Sequence, residues 1–199
     1  MSTAALQSKE PKRQLLLSSL TTFFQQNQSS RETVYHIIMG ASPISLRVLD
    51  WFVTHYSKMH QVMYWFDPNL KTPEYYTVCP QNPSPGLRKF HVYYEYRAQL
   101  KSFSKAHFDP FRRHQRISFL LEEKPEKVVL ETTVGQLNFF KWAVQNRIID
   151  YVINHLPEIE QSMASQTTRK EKEREKVLQA SVPNANIKQA RASARVHFD

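Results

Sequence analysis

Glycine is nearly absent from this chain. Its 199 residues hold three, Gly40, Gly86 and Gly135, widely separated. A P-loop and a dinucleotide fingerprint both need clustered glycines whose backbone can approach a pyrophosphate, so neither is present. Cys79 is the sole cysteine, which rules out an intrachain disulfide and gives no sign of an oxidising compartment. It lies among prolines without a nearby partner, so an incidental cysteine is favoured over a reactive thiol. Long apolar runs are also missing. Leu15–Leu17 behind Lys12 and Arg13 looks like the start of a signal peptide, but Gln14, Ser18, Ser19 and Thr21 cut it short. Nothing else approaches the roughly 20 apolar residues of a membrane span. The expectation is an intracellular, non-secreted protein with no membrane contact.

The familiar chemistries fare no better. His55 with His60, and His107 with His114, come without thiolates or the usual zinc spacing. No serine sits on a recognisable nucleophile turn. We therefore expect no cofactor, no metal and no catalytic residue; if there were an activity, metal-independent phosphate chemistry around Arg112, Arg113 and His114 is the form nearest to hand.

What the chain does have is positive charge, and it is localised. The formal net charge is +9. Residues 88–116 carry eight Lys/Arg against Glu95 and Asp109, whereas residues 32–87 and 117–168 are each net acidic. A local excess of this kind fits a polyanion partner better than it fits general solubility, although an acidic protein surface would serve as well as DNA or RNA. The densest part is KSFSKAHFDPFRRHQRI at 101–117. There Lys101, Lys105, Arg112, Arg113 and Arg116 interleave with Phe103, Phe108 and Phe111. Cations neutralise phosphates and ring faces stack on bases, which is what a nucleic-acid surface requires. The plainer alternative is that the three phenylalanines anchor a surface loop and leave the charges solvated.

At this length, with 41% hydrophobic residues, one globular domain with appendages is expected. Residues 1–31 read as a flexible arm with a short helix near Leu15–Gln26, docking Leu15, Leu16, Leu20, Phe23 and Phe24 on the core or on a partner. Thr33–Met39 reads as a strand ended by Gly40. Ser42–Pro43 then opens a helix to Met59 that is apolar on most sides, with a polar stripe of Arg47, Asp50, Thr54, Ser57 and Lys58. Arg47 and Asp50 suggest an i,i+3 ion pair. Gln61–Phe66 reads as a strand closed by a turn at Phe66–Asn69, and Pro73–Gly86 as a loop.

Arg88–Lys101 alternates like a long strand. Phe90, Val92, Tyr94, Tyr96, Ala98 and Leu100 form its core face; Lys89, His91, Tyr93, Glu95, Arg97, Gln99 and Lys101 form a polar, mainly basic one. That second face adds Tyr93 and Arg97 to the candidate surface, or is an ordinary solvated sheet face. A hairpin follows, Arg116–Leu121 with Lys127–Glu131, across an acidic connection. Thr133 with Gln136 gives a capping-box signature for Val134–Leu156, one helix or two joined near Asn146, with Pro157 marking a break or restart. Arg169–Lys176 reads as an exposed helix with Glu171–Arg174 and Glu173–Lys176 pairs. Ala180–Asp199 is a basic tail with Lys188, Arg191 and Arg195, or in part an edge strand at Arg195–Asp199. The fold class is α+β: a single domain with a mainly antiparallel sheet packed against two largely buried helices, with boundaries at 1–31, 32–166 and 167–199.

Three blocks carry a resemblance: PISLRVLDWFVTHYSK at 43–58, FHVYYEYRAQLKSFSKAHFDPFRR at 90–113 and TTVGQLNFFKWAVQNRIIDYV at 132–152. They resemble a family of largely uncharacterised proteins of nucleocytoplasmic large DNA viruses, of chlorovirus and mimivirus type, with a relation to the early infected-cell protein of iridoviruses. The resemblance implies a viral protein in the infected cytoplasm, at the viral factory, or packaged in the virion. It brings no established activity or catalytic residues. In that family an arginine often stands where this chain has His114, which argues against a direct phosphate role for His114. Residues and resemblance together lead to one expectation: a non-enzymatic protein that binds DNA or RNA in replication, transcription or packaging. Arg97, Lys101, Lys105, Arg112, Arg113 and Arg116 would contact phosphates, with Tyr93, Phe103, Phe108 or Phe111 stacking on bases. The rival is a structural virion or assembly protein whose basic face meets acidic viral proteins.

Overall fold

A computed structural model describes residues 10–70, 74–122 and 128–180. The expected basic tail beyond Ala180, its alternative edge strand and the hairpin connection at 123–127 lie outside the described residues. The chain forms two compact units, residues 1–163 and 164–199. The boundary falls inside the last helix.

The fold is α+β but mostly helical, and among the described residues the single sheet expected from sequence is replaced by two separate two-stranded ones. Helix α1, Glu10–Gln26, starts with Pro11 in its first turn and buries Leu20 and Phe24, an i,i+4 pair. Helix α2, Gln28–Met39, replaces the strand expected at Thr33–Met39. Its β-branched residues favour a strand locally, but Val34 and Ile37, one turn apart, are both buried, and this packing overrides propensity. Gly40 closes α2 in the left-handed conformation, φ 74°, with its N–H and that of Ala41 returning to Ile37 O and His36 O.

Helix α3 begins as Leu46–Trp51, widens through Phe52–Tyr56 and closes as Ser57–Met59. Its N-cap is Ser45, which accepts from Val48 N at 3.2 Å, so the helix starts later than Ser42–Pro43 suggested. Val48, Leu49, Phe52 and Val53 are buried as the apolar arc required. Ser57, assigned to the polar stripe, is buried as well, and its hydroxyl is satisfied by Val53 O at 3.0 Å.

Strand β1, Met63–Phe66, pairs antiparallel with β2, Arg88–His91, in the register Tyr64 to Phe90. Between them Asp67 organises the loop: its carboxylate accepts from Asn69 N at 2.9 Å and from the Ser84 hydroxyl at 2.7 Å. These bonds hold its carboxyl below the usual range. Gly86 passes so close to Asp67 that any Cβ there would collide with the carboxylate.

The largest departure from the sequence reading is at 92–101. Only Arg88–His91 is strand; Val92–His107 is helix α4. Val92, Tyr96 and Leu100 are spaced by four, a spacing shared by a strand face and a helix face, so the alternation did not discriminate. Beyond α4, β3, Arg116–Glu122, and β4, Val128–Thr133, form the expected hairpin. It buries Phe119, Leu121 and Leu130 on one face.

Helix α5, Val134–Gln145, is the hub. It packs against α1, α2, α4 and β4, and against α6, Ile148–Asn154, with Leu137, Phe139, Phe140 and Ala143 fully buried. Thr133 caps it by accepting from Gln136 N at 3.1 Å. The break between α5 and α6 falls at Asn146–Arg147, with Arg147 left-handed. Helix α7, Leu156–Ala180, restarts the chain with Pro157 in its first turn and buries Ile159. In the second unit, residues 164–180 continue this helix. Among the described residues there, the ion pair is Arg169–Glu173 at 3.1 Å, i,i+4, and no pair engages Arg174.

Phe108 and Phe111 separate the two readings of the phenylalanine cluster. Phe108 is fully buried against Trp142 and Phe139, at ring centroid distances of 5.4 and 5.7 Å, whereas Phe111 is largely exposed. Phe108→Ala is expected to cost about 3–5 kcal/mol of unfolding free energy. Phe111→Ala should stay within about 0.5 kcal/mol. Urea denaturation of the two variants checks this, and equal losses would contradict the packing.

Candidate nucleic-acid interface

The helical form of residues 92–107 reorders the candidate surface. Arg97 and Lys101 fall at i and i+4 on α4 and Lys105 follows beyond its interruption at Ser104; all three are exposed. Tyr94, which the strand reading assigned to the core, lies one turn before Arg97 with 62% of its surface exposed. Tyr93 changes sides in the other direction: it is half-buried, with Lys58 Nζ 5.6 Å from its ring centroid. A helical period applied to the same residues would have found Tyr94. Phe103 points inward, half-buried and stacked on Phe108 at 6.2 Å. Phe108, being core, is withdrawn from the stacking set: a ring with no exposed surface meets no base.

Arg112, Arg113 and Arg116 arrive by a different route. α4 is interrupted at Ser104, φ 60° and ψ 164°, a region seldom occupied by residues other than glycine. The redirected chain runs along the first turn of α5 and is held there by three hydrogen bonds. Asn138 Nδ2 donates to His107 O at 2.9 Å, Asp109 N to Gly135 O at 3.3 Å, and Gln136 Nε2 to Pro110 O at 3.0 Å. Gln136 is therefore only half of the capping box that its spacing announced. Its Oε1 accepts from the Thr132 hydroxyl at 2.7 Å. Gly135 permits the close approach, since a Cβ there would meet Ala106 O at 3.2 Å.

From this anchored base the loop turns outward. Asp109 Oδ1 accepts from Phe111 N at 2.8 Å, and Arg112 N donates to Asp109 O at 3.3 Å, which sets a turn that presents half-buried Arg112 and exposed Arg113 and His114. Gln115, at φ 59°, then leads into Arg116, the first residue of β3. Among the described residues no ion pair engages Arg97, Lys101, Lys105, Arg112, Arg113 or Arg116. Among the described residues these cations are thus left without ion-pair partners, as a surface built for an external polyanion would be.

Two carboxylates lie behind this surface. Burial raises the Asp50 pKa, with the charge of Asp109 adding to the effect. Tyr96 is pushed up by burial and then by both aspartates, partly offset by Arg97. The expected Arg47–Asp50 ion pair is not among those of the described residues. Sequence spacing could not show that Asp50 would be influenced by a residue 59 positions later. No group of three or more His, Cys, Asp or Glu among the described residues could hold a metal ion. Nor is any described helix long and apolar enough to cross a membrane.

A family model described as "Family of unknown function (DUF7197)" matches residues 2–196. The chain belongs to this family. The DUF7197 chain is 40% identical over 166 residues to the uncharacterized protein L507 of Acanthamoeba polyphaga mimivirus, covering 82% of the chain and 58% of L507. It therefore spans little more than half the length of that relative. No solved structure matches the DUF7197 chain. The match to L507 agrees with the mimivirus side of the resemblance seen in the three sequence blocks.

Asp50 supplies a test of the local electrostatics. Its pKa is raised by folding, so the ionised form costs stability once the pH exceeds the native value, and the cost disappears below the unfolded value near 4. Asp50→Asn should therefore stabilise the protein at pH 7 and be neutral near pH 3. Denaturant midpoints across that interval check it; destabilisation at pH 7 would show that Asp50 is favourably paired.

Proposed function

We propose that this DUF7197 protein is a non-enzymatic nucleic-acid-binding protein of a large DNA virus. Its place would be replication, transcription or genome packaging, in the cytoplasmic viral factory or in the virion, with kinship extending to chlorovirus and iridovirus proteins. The observation that carries the reading is the set of six cations on α4 and the clamped loop with no ion pairing among the described residues. Arg97, Lys101, Lys105, Arg112, Arg113 and Arg116 contact phosphates. Tyr94 and Phe111, the exposed rings nearest to them in sequence, stack on bases. The anchored loop lowers the ordering cost of binding, because the backbone that carries Arg112 and Arg113 is already fixed by α5. Recognition through phosphates and ring faces is weakly sequence-selective.

A role in virion assembly is the second reading. It is favoured by residues 164–180, a helix in a unit of its own that displays both Arg169 and Glu173 to an acidic or mixed protein surface. Recovery of the protein in stoichiometric amounts with the capsid shell after nuclease treatment would support that reading instead.

Binding to labelled single-stranded and duplex DNA and RNA across a salt titration decides between them. Arg112→Ala with Arg113→Ala should weaken binding and flatten the slope of log K against log salt by about 1.8 for duplex DNA and about 1.4 for single strands. Tyr94→Ala should cost about 1–3 kcal/mol on single strands alone. Absence of binding at low salt would overturn the proposal.

A further inference from the structure

On the side of α4 away from the basic stripe, a cavity of about 430 Å³ opens between α1, β2, α4 and α5. Gln99 and Phe103 contribute to its wall, and Gln99 lies about 160° around the helix from Lys101. The volume is in the range of small-molecule sites, about 300–1,000 Å³. Among the described residues its charged lining side chains are Arg88 and Lys141, with no carboxylate.

Both cations are held by neutral partners. The Arg88 guanidinium lies 4.7 Å from the Phe66 ring centroid and 5.7 Å from that of Phe90, and it donates to Asn146 Oδ1. Asn146 is itself fixed, because its Nδ2 donates to Trp142 O at 2.7 Å and its carbonyl accepts from the buried Tyr64 hydroxyl. Lys141 Nζ donates to Ser19 Oγ at 3.0 Å and sits 5.4 Å from the Phe23 ring centroid. Each cation retains donors beyond these bonds. Two pinned positive charges line one cleft, and none of its described lining residues supplies an acid to offset them. A bound anion would offset both charges. The rest of the lining supplies the amides of Gln99 and Gln145 for a polar edge, and Trp142 and Phe103 for a ring.

We propose that this cavity binds a nucleoside monophosphate, its phosphate between Arg88 and Lys141 and its base against Trp142 and Phe103. A larger cavity, about 660 Å³ beside Asn27–Ser30, is less suited to an anion because Asp150 lines it together with Arg147. The site uses no glycine-rich loop, which is why no nucleotide motif announces it, and it takes its residues from four elements. It does not depend on the basic surface.

Isothermal titration of the full chain with adenosine, guanosine, cytidine and uridine 5′-monophosphates tests this, with inorganic phosphate and free nucleosides as the separated halves. At least one monophosphate should bind, more tightly than either half. Lys141→Gln and, separately, Gln99→Leu should weaken it, the former by about tenfold or more. Arg112→Ala with Arg113→Ala should leave it unchanged. Folding of each variant is checked by its thermal transition. Failure of every monophosphate to bind, phosphate alone binding as tightly, or binding lost in the Arg112/Arg113 variant but kept in folded Lys141→Gln would each overturn the proposal.

Discussion

Helix α5 has to be covered on nearly every side. Of its twelve residues, Val134, Gly135, Leu137, Asn138, Phe139, Phe140, Trp142 and Ala143 are buried. No single neighbour can remove that much apolar surface from water, so α1, α2, α4, α6 and β4 all pack on it. The polar groups it carries are thereby put to use. Asn138 and Gln136, unable to reach water freely, satisfy themselves on the carbonyls of His107 and Pro110 and so fix the segment that presents Arg112 and Arg113. Lys141, on the same helix, reaches the second cleft. Both candidate sites are consequences of how this one helix is buried.

Elements that are defined by a local signal were legible in the sequence. The wide apolar arcs of α3 and α5, the Thr133 cap, the turn at Asp67, the 116–131 hairpin and the restart at Pro157 each follow from residues a few positions apart. Thr33–Met39 and Val92–Lys101 were not legible, for two distinct reasons. In α2 the β-branched residues prefer a strand, and tertiary burial of Val34 and Ile37 outweighs a preference of a few tenths of a kcal/mol per residue, about 0.5. In α4 a four-residue spacing satisfies both periods. The cations proposed for the basic surface could be named from composition because charge does not need a fold to be counted. Which rings join them could not, since the side taken by Tyr93 or Tyr94, and by Phe108 or Phe111, depends on the helix. The cationic cleft was beyond reach: Arg88, Gln99 and Lys141 are brought together only by packing.

The aromatic and basic residues of 101–117 turn out to divide the work rather than share it. Phe103 and Phe108 secure the chain to the core, and the arginines face out from the turn that this anchoring creates. That division answers the plainer alternative in part. The phenylalanines do anchor a loop, as a purely structural account would have it. Yet solvation alone does not require an anchored loop to carry Arg112, Arg113 and Arg116 with no ion pair among the described residues, next to a helix that exposes Arg97 and Lys101. Self-repulsion of this kind works against folding, and under the proposed function a polyanion partner would relieve it.

Ser104 shows how firmly the arrangement is held. Its backbone lies in a region that costs a non-glycine residue on the order of 1–3 kcal/mol. Had α4 continued regularly, Phe108 would have followed Lys105 along the solvent side or reached the core at another height, and the three bonds to the first turn of α5 could not form. Burying a phenylalanine is worth about 1.5–3 kcal/mol and each hydrogen bond a further 0.5–1.5. The anchor therefore exceeds the strain it imposes. Because the offset depends on Phe108, Asn138 and Gln136 together, the loop geometry is cooperative. The arginines are positioned by core packing as much as by the turn that bears them.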